Sequence, residues 1–254
     1  MPTLTLLAKA YNNSNIKYAE KFLKSTLKNL KVNTEICGTT SRGWIQVSIS
    51  GEDEKVAMHY LAKEIGFCPT TIDNVQRFSL INGRLLGFEK SKSELRVDIG
   101  IFSPKIVDAT IPLQQLQAQL TDGRKLALRK IIELFGFCEN LPLQVKVSKI
   151  NKEKDKVEAI LSERQINQYK KWTKSLLDRL IILGANQNEI QQALRKAKLI
   201  RDIVQIETLG LFEHAVACKL GTDAEGLIPK IGKNLRNANF SIFTPRKTFE
   251  FLEK

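Results

Sequence analysis

Histidine is nearly absent from this chain, cysteine is sparse and scattered, and no long apolar run occurs. The two histidines, His59 and His214, stand in a helical pattern and in a strand pattern. Neither has Cys, Asp or Glu neighbours at metal-ligand spacing, so structural or surface roles are expected. The four cysteines (Cys37, Cys68, Cys138, Cys218) form no C-x-x-C pair and read as buried apolar residues of a reducing compartment. No apolar stretch approaches the ~20 residues needed to span a bilayer. The N-terminus lacks the charged start and cleavage site of a secretory signal. A soluble, cytoplasmic protein with no membrane partner is expected. The G-x-x-x-x-G-K-[ST] phosphate loop is also missing: in Gly221–Gly226 the glycines are present, but Leu227 stands where lysine is needed. Asp223 and Glu225 oppose an anion there, so this turn reads as an ordinary helix cap. Asp202, Glu207 and Glu213 show no acid–base spacing. The chain is therefore expected not to be an enzyme and to carry no metal or cofactor.

What is present is a foldable and basic chain. Its 254 residues suit two or three domains, and 43% are hydrophobic, enough to bury real cores. Lys and Arg total 40 against 27 acidic residues, a net charge of +13 with pI near 9.6. The excess is distributed: +3 over 1–80, +4 over 81–162 and +6 over 163–254. Such a balance suits a polyanion partner, with a lysine-rich solvated surface as the plain alternative.

The apolar pattern predicts an α+β protein in three parts. Residues 1–80 read as an N-terminal domain of order β-α-β-β-α. Its elements are a strand over 3–10, a helix over 15–30 capped by Ser14, a hairpin of Val32–Cys37 and Trp44–Ser50, and a helix stopped at Gly66. A further strand near 75–81 would complete a ferredoxin-like α/β sandwich. Residues 81–162 are β-rich, with helical material over 113–120 and 125–135 and Asp122 as a cap. Residues 163–254 read as an amphipathic helix over 163–183, a helix over 187–199, strands at 203–206 and 212–220, a helix over 223–236 and a strand at 240–243. That order again suggests helices plus a small α/β domain. Gly66-Phe67-Cys68 and Gly136-Phe137-Cys138 both follow a helix and a glycine stop.

The central stretch is the most telling. Leu95, Val97 and Ile99 alternate with Arg96 and Asp98; Leu143, Val145 and Val147 alternate with Gln144, Lys146 and Ser148. Small five-stranded barrels fill their interior with such positions and offer outer strands and loops to oligonucleotides. Through Val97-Asp98-Ile99-Gly100, Thr110-Ile111-Pro112-Leu113, Val145-Lys146-Val147 and Ile160-Leu161-Ser162, the segment resembles the RNA-binding module repeated in ribosomal protein S-one. The same module opens the alpha subunit of translation initiation factor two. The resemblance implies an OB-type barrel and an RNA partner, ribosomal or tRNA-like, with a ribosomal subunit as a further partner. Two departures stand out. Residues 114–140 replace a short link, and the outward positions usually aromatic in the family are Arg96, Asp98, Asp108 and Thr110. The two carboxylates would repel phosphate and shift contact to the loops. A second resemblance spans the chain: Arg42-Gly43-Trp44, Ser50-Gly51-Glu52-Asp53, Leu209–His214, Cys218–Ala224 and Gly226–Gly232 are similar to an archaeal family of unknown function, DUF2110, which implies the domain layout and no activity.

The candidate RNA contacts are Phe88 and Phe102 as stacking platforms, with Lys90, Lys92, Arg96, Lys105 and Lys146 on phosphates. Arg195, Lys196 and Lys198 add a basic cluster at a helix end, where the helix dipole alone would also favour them. The alternatives are solvated turn lysines and phenylalanines that plug the barrel. Asp98 and Asp108 could meet on adjacent strands as a carboxylate pair suited to Mg²⁺, or stand solvated beside Arg96. The function expected is non-enzymatic RNA binding in translation or RNA processing. A protein-interaction scaffold with a degenerate barrel and a metal-dependent hydrolase acting on RNA are the other readings.

Overall fold

The structure is a computed structural model and describes residues 3–88 and 93–252. Its N-terminal unit runs β1 (Thr3–Lys9), α1 (Asn13–Thr26), β2 (Val32–Thr39), β3 (Trp44–Gly51) and α2 (Glu54–Glu64). The strands pair antiparallel in the order β1-β3-β2. Leu6, Ile45, Val47 and Ile49 of the sheet pack on Ala19 and Leu23 of α1 and on Leu61 of α2. Asn12, not Ser14, caps α1: its side chain accepts from the Asn15 amide, and the Asn15 carboxamide oxygen accepts from the Tyr11 amide. After α2 the chain returns along β1. The Leu7 amide donates to the Gly66 carbonyl at 3.0 Å, the Cys68 amide donates to the Thr5 carbonyl at 2.8 Å, and Phe67 bridges Leu6. The fourth strand of the ferredoxin-like sandwich is thus a single bridge at Phe67. The segment expected to supply it enters the barrel instead, because Ile81 and Leu85 are needed in the barrel core.

Five strands then close that barrel: β4 (Leu80–Leu85), β5 (Glu94–Ile101), β6 (Val107–Pro112), β7 (Pro142–Asn151) and β8 (Lys156–Leu161), in the order β4-β5-β6-β8-β7. β6 and β8 run parallel and the other contacts antiparallel, which is the strand order of the OB fold. The predicted interior positions Leu95, Val97, Ile99, Leu143, Val145 and Val147 are all buried. Between β6 and β7 stand α3 (Leu113–Leu120) and α4 (Leu128–Phe135). Ala127 occupies the start of α4, while Asp122, expected to cap it, sits in the left-handed region of the connecting turn at φ +50°.

The C-terminal part differs most from the sequence reading. α5 (Glu163–Ser175) ends at Leu176, and Arg179–Leu183 forms β9 rather than continuing the helix. Leu176, Leu180 and Leu183 keep helical spacing by coincidence. The apolar run Leu180-Ile181-Ile182-Leu183 is instead a strand covered on both faces. α6 (Gln187–Lys196), β10 (Ile203–Thr208), β11 (Glu213–Cys218), α7 (Ile228–Gly232), β12 (Asn239–Phe243) and α8 (Pro245–Leu252) follow. The helix expected over 223–236 shrinks to a 3-10 turn and α7, and α8 lies where the sequence suggests only added charge. The sheet order is β10-β11-β9-β12. This is the N-terminal arrangement again: β-α-β-β-α-β, with the fourth strand beside the first, then the third, then the second. The chain carries this unit on each side of its barrel.

The three parts meet at one buried node. Arg84 of β4 pairs with Glu213 of β11 at 3.0 Å, both almost wholly buried. The Tyr11 hydroxyl donates to the other Glu213 oxygen at 2.8 Å, Arg84 also donates to the Leu7 carbonyl, and its guanidinium lies 5.5 Å from the Trp44 ring centroid. Gly210 is needed beside this node, since a Cβ there would lie 2.0 Å from the Glu213 carboxylate. Phe212 enters the N-terminal core and meets Tyr18 edge-on. The cysteines are free thiols: Cys68 and Cys218 are buried as expected and Cys138 is half-buried, but Cys37 is exposed on edge strand β2. Among the described residues no helix is long and apolar enough to cross a membrane.

Candidate nucleic-acid interface

The outer face of β5 and β6, where the carboxylates were expected to lie open, is partly covered. Asp98 and Asp108 do face each other across the two strands. Asp98 is buried, accepting from the Trp44 indole at 3.0 Å and from the Gly100 amide at 3.0 Å. Arg42, from the β2–β3 turn, pairs with both carboxylates, and Arg96 pairs with Asp108. The N-terminal unit therefore docks onto this face and neutralises it. Neither the solvated reading nor the cation-site reading of the pair fits, because each carboxylate already faces arginine. Among the described residues no three His, Cys, Asp or Glu side chains gather as a metal site.

The sequence-derived contacts scatter. Phe88 is half-buried and packs against the barrel core. Phe102 is half-buried beside Thr70, to whose carbonyl its amide donates. Lys105 is exposed and faces Asp155 at 3.5 Å. Lys90 and Lys92 lie outside the described residues. Arg195, Lys196 and Lys198 are exposed at the end of α6, on the C-terminal unit rather than on the barrel.

Among the described candidates Lys146 joins a built aromatic arrangement, and its main partner is a residue the sequence reading passed over. Phe78, just before β4, is the most exposed aromatic among the described residues, at 59%. The Arg77 guanidinium lies 4.6 Å from its ring centroid and the Lys146 ammonium 5.8 Å. Arg77 is itself fixed by donating through Nε to the Ser148 carbonyl at 3.1 Å. The Phe78 backbone is left-handed, at φ +70°, held there by its amide on the Val147 carbonyl and by the Val147 amide on the Ser79 carbonyl. A bulky residue in this region costs on the order of 1 kcal/mol, and an exposed ring returns little through burial. Fold stability alone would favour glycine or asparagine here. The sequence signal was modest, an Arg-Phe pair in a polar loop entering a barrel strand.

From this platform the β4–β7 ladder runs on, pairing Leu80 with Lys146 and Asn82 with Gln144. Their side chains point away from the buried Ile81 and Val145. Asn82 lies four residues beyond Phe78, two residues into β4. The result is a strip on the outside of the barrel that is cationic and aromatic at one end and amide-lined at the other. It can stack a base, clamp phosphates and hydrogen-bond base edges.

Profiles of protein families match the chain over nearly its whole length: the DUF2110 N-terminal domain at 3–70, the DUF2110 central domain at 75–173 and the DUF2110 C-terminal domain at 177–243. No curated protein matches. Among solved structures, the chain is similar to uncharacterized protein MJ1198 from Methanocaldococcus jannaschii, at 11% identity and TM-score 0.24, over 35% of this chain and 95% of that one. It is similar to the alpha subunit of aIF2 from Pyrococcus abyssi, at 9% identity and TM-score 0.27, over 66% of this chain and 96% of that one. It is also similar to a chain of the a/eIF2alpha-aDim2p-rRNA complex from Pyrococcus horikoshii OT3, at 11% identity and TM-score 0.27, over 49% of this chain and 64% of that one.

Proposed function

This chain belongs to the DUF2110 family, and on its own surface chemistry we propose that it is an RNA-binding protein, without catalysis, that takes single-stranded RNA on the outside of its barrel. The observation that carries the reading is Phe78, an exposed aromatic held in a costly backbone conformation between two cations. Every base has a π-face that can stack on such a ring, and flanking Arg and Lys serve the phosphates. The net charge of +13 supports the same partner. The likeness of the barrel segments to the S-one module directs the choice of RNA to ribosomal RNA and the translation machinery, in a cytoplasmic setting.

The test is binding of labelled single-stranded ribosomal RNA fragments by wild type and by Phe78→Asn. A stacked base contributes about 1–3 kcal/mol, so affinity is expected to fall roughly 5- to 150-fold. The thermal midpoint of Phe78→Asn should stay level or rise, because asparagine tolerates φ +70° better than phenylalanine. Unchanged affinity, or a drop in stability that accounts for the loss, would defeat the reading.

A further inference from the structure

The amide end of the β4–β7 strip opens into a cleft of about 790 Å³ where the N-terminal unit, the barrel, α5 and the β10–β11 turn converge. Its size suits a small ligand or one unit of a polymer. Three lining cations, Lys63, Arg164 and Lys171, are exposed and make no ion pair among the described residues. One wall is a relay of amides. The Gln144 side chain donates to Asn82 at 3.0 Å and accepts from Ser162 at 2.9 Å; the Gln165 side chain accepts from the Gln144 backbone N–H at 2.9 Å and donates to Gln168 at 3.3 Å. Tyr18 and Phe22, stacked at 6.4 Å, also line it.

Two further lining residues are buried. Arg84 and His214 are each only 2% exposed, and each keeps one buried nitrogen, Nε and Nδ1 respectively, without a hydrogen-bond partner among the described residues. Burial holds the imidazole down at about 4, so near neutrality it is uncharged and adds no cation to the lining. The walls thus offer cations, donors and acceptors together with an aromatic pair, which is the chemistry of a phosphate joined to a polar planar base and ill suited to an apolar peptide.

We propose that this cleft holds one nucleotide, its phosphate among Lys63, Arg164 and Lys171 and its base against the amide wall that Asn82, Gln144 and Gln168 form. The proposal rests on the RNA reading only for the source of that nucleotide: an RNA strand crossing Phe78 would reach the cleft further along the β4–β7 ladder, while a free nucleotide offers the same groups.

The test uses the full chain in two arms. Equilibrium dialysis measures binding of labelled AMP, GMP, CMP and UMP, and fluorescence anisotropy measures binding of a short single-stranded RNA. Each is done with wild type, with R164E/K171E and with Phe78→Asn. At least one monophosphate is expected to bind, and R164E/K171E should weaken it by about tenfold or more, since two charge-assisted contacts are lost. Phe78→Asn should leave unchanged the share of monophosphate binding that R164E/K171E removes. Arg164 and Lys171 are on the exposed face of α5, so this variant should fold, and its circular dichroism spectrum checks that it does. If R164E/K171E also weakens RNA, the nucleotide comes from the strand; if it weakens only the monophosphate, the source is free nucleotide. Should no monophosphate bind and RNA affinity be the same in R164E/K171E, the cleft proposal is overturned, while loss of RNA binding in Phe78→Asn would still uphold the platform. With monophosphate binding and no RNA binding, the cleft stands and the platform reading falls.

Discussion

Glu213 ties the three parts of the fold together through one side chain. Its carboxylate pairs with Arg84 of the barrel and accepts from Tyr11 of the N-terminal unit, and burial together with that carboxylate drives the Tyr11 phenol well above its ordinary value. Replacing Glu213 by Ala leaves the Arg84 charge buried and unpaired, so Glu213→Ala should lose about 3–5 kcal/mol in urea unfolding at neutral pH. The double variant Arg84→Met with Glu213→Leu should lose far less, because a buried pair exchanged for apolar side chains is often close to neutral. Equal losses in both would show that the charge left behind is not the cause. Nothing local marks Glu213, since its partners lie 129 and 202 positions away. The neighbouring His214 was legible as a structural residue, but its burial was not. Desolvation lowers its pKa from 6.5 to about 4. Between those values the unfolded chain binds the proton and the folded chain does not, so stability falls as pH drops from 6.5 towards 4, by up to about 3 kcal/mol from this residue. His214→Gln should flatten that part of the stability–pH curve measured by urea unfolding, and an unaltered slope would remove His214 as its source.

At the level of elements, the two β-α-β-β-α-β units repeat a local device. Each first helix starts with an asparagine cap, Asn12 for α1 and Asn186 for α6, and the residue three positions on, Asn15 or Glu189, bonds back to the chain at the turn. The two turns also touch, as Asn15 donates through its carboxamide to the Gly184 carbonyl at 3.1 Å. Asn12→Ala and Asn186→Ala should each cost about 1 kcal/mol by thermal or urea unfolding. Ser14→Ala should cost almost nothing, because the helix has already begun there. The N-terminal unit and the barrel were readable because their strands alternate cleanly and their helices carry one apolar stripe. The C-terminal unit was half hidden because β9 is apolar on both faces, and a four-residue run such as Leu180–Leu183 fits a helix as well as a buried strand. Phe78 was missed for a different reason: a positive φ and exposure are properties of the folded loop, which no periodicity encodes.

For the molecule as a whole, the question is whether its positive charge acts as a diffuse field or through a site. The excess is spread over all three parts of the chain, and several cations are spent internally, Arg42 on Asp98 and Asp108, Arg84 on Glu213 and Arg179 on Glu207. Arg77 and Lys146 instead flank an exposed ring and have no acidic partner among the described residues. If RNA crosses the barrel at Phe78, these two cations displace counterions directly. Each phosphate contact on a single strand contributes about 0.7 to the slope of log affinity against log salt, so Arg77→Gln with Lys146→Gln should reduce that slope by about 1.4. Lys105→Gln should change it little, since that lysine already faces Asp155. Fluorescence anisotropy over a salt series, on wild type and the two variants, measures the difference. A diffuse field predicts slope changes that track the number of charges removed wherever they lie, so the double variant would lose only twice what Lys105→Gln loses. A site predicts a steep loss at Arg77 and Lys146 and almost none at Lys105, and only that inequality ties the charge of the whole molecule to one strip of its barrel.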